Sequence, residues 1–113
     1  NVTGSIASAQ TIVTGATSVL RVDGASLDDN ALVTLVNGGT FALDGSETIG
    51  TIASGSATSQ VQMGTNSLTL TSNSDSSFNG VISGTGTTTV ALIKTGAATL
   101  NLNGANTYTG ATA

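Results

Sequence analysis

The side chains of this sequence that could do acid–base or metal chemistry are six carboxylates (Asp23, Asp28, Asp29, Asp44, Glu47 and Asp75) and two cations, Arg21 and Lys94. Histidine and cysteine are both absent. Nucleophile–imidazole arrangements and thiolate chemistry are therefore excluded, as are imidazole and thiolate metal ligands. Carboxylate chemistry is what remains. Asp23 and Asp44 stand 21 positions apart, with Glu47 close behind, and on adjacent rungs of a stacked sheet the first two would lie about 4.8 Å apart. Glycosidases use carboxylate pairs at about 5 Å or more. Such sites also need aromatic sugar platforms and basic residues, and this chain has only Phe41, Phe78 and Tyr108 as aromatics. Corner carboxylates facing water are the expected reading, and no catalytic residue is expected.

Calcium takes hard oxygen ligands, which Asp23, Asp28, Asp29 and Asp44 could supply. The Gly-Gly-x-Gly-x-Asp signature of calcium-binding β-rolls is missing, however, and Asn37-Gly38-Gly39-Thr40 only approaches it. Neither a metal site nor a cofactor is expected, and Asp28-Asp29-Asn30 reads as a solvated loop projecting from the body. Thr69 and Thr71 flank Leu70 as in the Thr-x-Thr arrays of ice-binding solenoids, yet the neighbouring coils do not repeat them. A net charge of −4 with two basic groups leaves no footprint for a polyanion, so nucleic acid is excluded as a partner. Acidic membrane surfaces are poor partners for the same reason. No apolar stretch approaches the eighteen or so residues of a membrane helix, so this segment is not expected to be embedded in a bilayer.

Any such side chains must be positioned by strands. Residues of high helix propensity are scarce, while Thr, Ser, Gly, Val and Asn dominate. Apolar residues alternate with polar ones in Leu20/Val22, Phe41/Leu43, Val61/Met63, Leu68/Leu70 and Leu100/Leu102, which is the strand period. The pairs themselves recur at about 20 residues. Leu20/Val22, Phe41/Leu43 and Val61/Met63 form one column that Ile82 and Leu102 continue, and Val33/Leu35, Ile49/Ile52, Leu68/Leu70 and Val90/Leu92 form a second. Columns at this spacing predict an all-β parallel β-helix of about five coils of roughly 20 residues. Asp23-Gly24, Asp44-Gly45, Asn103-Gly104, Asn37-Gly38 and Asn79-Gly80 supply corners, because Asn, Asp and Gly tolerate positive φ. The same dipeptides would also suit an antiparallel meander of hairpins. Mean hydropathy of +0.27 without proline argues for a folded chain.

At 113 residues one domain is expected. The chain opens on Asn1 and stops just after a repeat motif, so it reads as an excised piece of something longer. The lack of cysteine removes disulfides and says little about compartment.

The run Phe78-Asn79-Gly80-Val81-Ile82-Ser83-Gly84-Thr85-Gly86, followed by Lys94-Thr95-Gly96-Ala97-Ala98-Thr99-Leu100-Asn101-Leu102-Asn103-Gly104-Ala105-Asn106-Thr107-Tyr108-Thr109-Gly110, resembles the passenger-associated repeat of bacterial autotransporters. The resemblance implies a right-handed parallel β-helix, with residues 78–110 as the repeat and 1–113 as a single segment of a longer passenger. It implies an extracellular address on the cell surface, at the outer membrane of a Gram-negative bacterium. The role implied is a structural, secretion-supporting stalk, adhesin-type, facing an unknown surface ligand of a host or neighbouring cell. A self-assembling fibre, joined by self-association through open rung edges, is the alternative. Thr87-Thr88-Thr89-Val90-Ala91-Leu92-Ile93 makes a longer link than the family's, expected to extend a strand or bulge a corner. Ala98 and Ala111 stand where Gly is frequent, so those positions should not need positive φ. Lys94 and Tyr108 become framework residues, with Lys94 covering a corner or a carbonyl. On this register Leu100→Asp should destroy the fold and Asp29→Ala should be nearly silent.

Overall fold

The computed structural model describes residues 11–15, 18–22, 27–72, 74–85, 90–109 and 111–113. All of its regular structure is strand, and every strand pairing is parallel. Parallel neighbours need a crossover connection, which here is the rest of each coil. The hairpin meander is thereby ruled out.

Three walls enclose the interior. The first stacks β2 (Val19–Val22), β4 (Thr40–Leu43), β7 (Gln60–Gln62) and β10 (Val81–Ser83). The second stacks β5 (Glu47–Ile49), β8 (Leu68–Leu70), β11 (Val90–Lys94) and β13 (Ala111–Thr112). The third begins with β1 (Thr11–Gly15), β3 (Leu32–Val36) and β6 (Thr51–Ala53) and continues with β9 (Ser76–Phe78) and β12 (Leu100–Leu102). Between β6 and β9 the ladder narrows to one bridge, Ser54 with Phe78. The chain visits the walls in the order first, second, third and rises by one rung per circuit. About four turns are formed, close to the five expected.

Within the first wall the expected column is present: Leu20 pairs with Phe41, Phe41 with Val61 and Val61 with Ile82. Leu102 does not continue it. It lies on the third wall, in register with Phe78. The reason is a change of period: coils of 20 or 21 residues in the first half give way to 24, as the pairings Leu68 with Leu92 and Leu100 with Ser76 show. Counting 20 on from Ile82 therefore stops short of the first wall, where Asn106 and Thr107 meet Ile82 instead.

The expected second column likewise mixes two walls. Val33 pairs with Ile52 on the third, whereas Ile49 pairs with Leu70 and Leu68 with Leu92 on the second. Only Gly50 separates β5 from β6, so Ile49 and Ile52 read as neighbours in one strand while lying on either side of a corner. The longer link before Lys94 gives a five-residue β11 with a register irregularity between Val90 and Leu92. Residues 86–89 of that link, like the corner at Asp23-Gly24, lie outside the described residues.

Alternation along each strand turns Val22, Phe41, Val61 and Ile82 inward from the first wall, Ile49, Leu68, Leu70 and Leu92 from the second, and Val33, Leu35, Ile52 and Phe78 from the third. All are at most 1% exposed. Each such side chain contributes about 1.5–3 kcal/mol by leaving water. Polar groups enter the interior in pairs: Thr51 Oγ1 lies 2.7 Å from Ser76 Oγ, and Ser54 Oγ donates to Ser59 Oγ at 2.9 Å.

Ser72 is the exception. It is 3% exposed, its hydroxyl has no partner among the described residues, and its φ is +48°. A non-glycine residue in that region is strained, and an unpaired buried hydroxyl costs free energy as well. Glycine removes both penalties at the expense of chain entropy. Ser72→Gly is thus expected to raise the stability to unfolding by about 1–2 kcal/mol, seen as a higher urea midpoint at unchanged slope.

Candidate functional site

The carboxylates take different surroundings. Asp44 is exposed at a corner, where its Oδ1 accepts from Arg21 Nη1 of the preceding coil at 2.8 Å, with the two side chains 41% and 46% exposed. An ion pair so open to water contributes at most about 1 kcal/mol. Glu47 corrects the expectation of water-facing carboxylates. It is 3% exposed, because its register with Leu68 puts it on the inward side of β5 alongside Ile49. Backbone donors compensate its burial: Leu27 N–H reaches Oε2 at 3.2 Å and Thr48 N–H reaches Oε1 at 3.1 Å. Asp44 therefore faces solvent and Glu47 the interior, and the two share no cleft. Asp23 lies outside the described residues.

Asp28 Oδ1 accepts the Asn30 N–H at 2.8 Å, and Ala31 N–H donates to Asp28 O at 2.9 Å, which folds the segment into a tight turn. That turn is tied down rather than projecting freely, since Thr71 Oγ1 donates to Asp29 O at 2.9 Å. The Thr71 hydroxyl is thus occupied within the protein. Thr69 is in register with Thr48 on one side, but with Ile93 on the other, so no threonine array extends along this wall. Among the described residues no three acidic groups converge in a way that could hold a metal ion.

The densest set of inter-coil contacts formed by named sequence motifs lies in the last coils. Asn103 Nδ2 donates to Asn79 Oδ1 at 2.8 Å, and Asn79 Nδ2 reaches Gly55 O at 3.5 Å, so the corner between third and first walls carries an asparagine ladder. Behind it Gly80 and Gly104 are pressed against the coil before: a Cβ on Gly104 would stand 1.8 Å from Gly80 O, and one on Gly80 2.1 Å from Ser59 O. Asp75 Oδ1 accepts the Thr99 N–H at 2.8 Å. Asn106 Oδ1 accepts the Ile82 N–H at 2.9 Å, while Thr107 and Thr109 donate their own N–H groups to Ile82 O and Gly84 O. Lys94 Nζ donates to Gly96 O at 3.3 Å, covering a carbonyl as expected. Tyr108 rests on the core with its hydroxyl bonded to that of Thr112.

The ladder was visible in the sequence only through the repeated Phe78-Asn79-Gly80 and Leu102-Asn103-Gly104, set 24 apart. Positive φ among the described residues falls on Asn37, Gly38, Gly64, Ser72 and Gly96, and not on Ala98 or Ala111.

Compared with known families, residues 92–113 match the passenger-associated-transport-repeat. No curated protein and no solved structure matches the chain. The matched stretch is one whole circuit: it starts at Leu92 on the second wall and returns to Thr112, the rung partner of Leu92. Lys94-Thr95-Gly96 and Ala105-Asn106-Thr107-Tyr108-Thr109-Gly110 fall inside it, whereas 78–91 precede it. The chain thus carries a repeat of autotransporter passengers as a coil of a parallel β-solenoid.

Proposed function

We infer that this chain is a structural, secretion-supporting segment of an autotransporter passenger on the surface of a Gram-negative bacterium, a stiff stalk of adhesin type. The observation that supports this reading is the coincidence of the matched residues with one coil, bonded in register to the coil before it through Asn103, Asn106, Thr107 and Thr109. Its mechanism is geometric. Each coil touches only its neighbours, so coils can be added one at a time as a chain emerges from a membrane, and every added coil presents the next with a template of backbone donors and acceptors. Parallel rungs held by inward aliphatics resist bending and carry whatever they bear away from the membrane. An adhesin role adds an unidentified ligand on a host or neighbouring cell.

Deleting residues 92–113 in frame from the full-length protein tests the transport role. One full coil is removed, so the flanking rungs keep their walls. The passenger reaching the surface, measured by protease shaving of intact cells against total protein, is expected to fall severalfold. An unchanged surface fraction would overturn the reading, and attachment of the unmodified cells to host cells, scored separately, tests the adhesin part.

A further inference from the structure

Three Asn-Gly dipeptides sit at corners of the solenoid, and their side-chain amides differ in surroundings. Asn79 and Asn103 are held in the ladder, and the glycines after them are packed too tightly against the preceding coil for any added atom. Asn37 is exposed, and its side chain makes no hydrogen bond among the described residues. With φ of +51° it precedes Gly38 at +88°, and Gly39 N–H donates to Val36 O at 3.0 Å, which is the pattern of a type I′ turn. That single backbone bond is all that closes the turn.

We propose that Asn37 is a self-modifying site, at which the side-chain amide is converted to a carboxylate with the Gly38 nitrogen as nucleophile. When the turn opens and the peptide unit between the two residues swings, that nitrogen faces Asn37 Cγ. It loses its proton to hydroxide and bonds to Cγ; the Cγ–Nδ2 bond breaks as Nδ2 takes a proton from water and leaves as ammonia. A water molecule then adds to either carbonyl of the resulting five-membered imide and opens it. The product at 37 is aspartate or its β-linked isomer, with one water consumed and one ammonia released.

Glycine at 38 leaves the approach to the nitrogen unobstructed. The same reaction at Asn79 or Asn103 requires the amide to leave the ladder and the imide to form where Gly80 and Gly104 have no room. Selectivity thus comes from restraint, since local opening is easiest where the fewest contacts are lost. The new charge appears beside Val36 and Val19, which are 37% and 49% exposed at the corner between the third and first walls. An uncharged surface becomes acidic.

The test is peptide mapping by mass spectrometry of the folded chain held in warm, mildly alkaline buffer. Amide-to-acid exchange is expected at Asn37 about tenfold or more faster than at Asn79 and Asn103, with the three rates drawing together in strong denaturant. Asn103→Ser removes the donor to Asn79 Oδ1 and is expected to speed exchange at Asn79 severalfold while leaving Asn37 unchanged. Equal rates at the three sites in the folded chain, or no exchange at Asn37, would overturn the proposal.

Discussion

Gly80→Ala is expected to unfold the solenoid or to cost several kcal/mol, a loss far beyond that of an ordinary glycine replacement. A Cβ at this position would lie 2.1 Å from Ser59 O, 2.8 Å from Ser59 C and 2.9 Å from the Phe78 ring. Two of these are backbone atoms of the preceding coil, which is held where it is by Val81 N–H donating to Ser59 O. The rungs cannot separate locally, because the first wall on one side and the Ser54–Phe78 bridge on the other fix their spacing. The side chain of Phe78 cannot yield either, being wholly buried. Relief requires breaking pairings between the two coils, which places the change among the severe mechanisms of steric overpacking, at about 3 kcal/mol or more.

Gly104→Ala repeats the clash against Gly80 O at 1.8 Å, but its damage should stay within the last coil, since coils depend only on their neighbours. Gly55→Ala is the control, with nothing within 4 Å of the added carbon. Urea unfolding of the three variants should therefore rank them Gly80, Gly104, Gly55 in order of loss. A mild effect at Gly80, equal to that at Gly55, would contradict the tight stacking of these corners.

These glycines show where the sequence was legible and where it was not. The parallel solenoid follows from period-2 alternation repeated at about 20 residues, and the first wall follows Leu20, Phe41, Val61 and Ile82 as read. Walls were harder to separate. An inward aliphatic looks the same on every wall, and a one-residue corner such as Gly50 leaves no gap between Ile49 and Ile52. The lengthening to 24 residues escaped notice because the corner between the second and third walls and the link after β10 both grew, while the corner between the third and first walls shrank. Only pairing, not spacing, shows which residues share a rung. Glu47 was misplaced for a related reason: a lone carboxylate in a Ser/Thr-rich stretch gives no sign of the backbone N–H groups of Leu27 and Thr48 that receive it. Ladder membership of Asn79 and Asn103 depends on the same hidden period.

Register also decides how severe a charge in the core must be. Leu100 packs against the core but is only half-buried, whereas Phe78 is wholly enclosed. Phe78→Asp removes a large apolar side chain, costing about 3–5 kcal/mol, and buries a carboxylate with no donor arranged to receive it. Glu47 marks the contrast, since its carboxylate is met by two backbone N–H groups. The wall at Phe78 is also where β6 and β9 are joined by a single bridge, so the loss falls on the narrowest pairing of the third wall. Phe78→Asp is therefore expected to abolish cooperative unfolding altogether, leaving no thermal transition by circular dichroism. Leu100→Asp is expected to cost less, because its carboxylate can turn toward water at the last coil. Asp29→Ala is expected to be nearly silent: the contact made there uses the backbone oxygen, which alanine retains. Should Leu100→Asp prove as damaging as Phe78→Asp, the last coil would have to be covered in solution by something that buries Leu100, and the half-open position assigned to it here would be wrong.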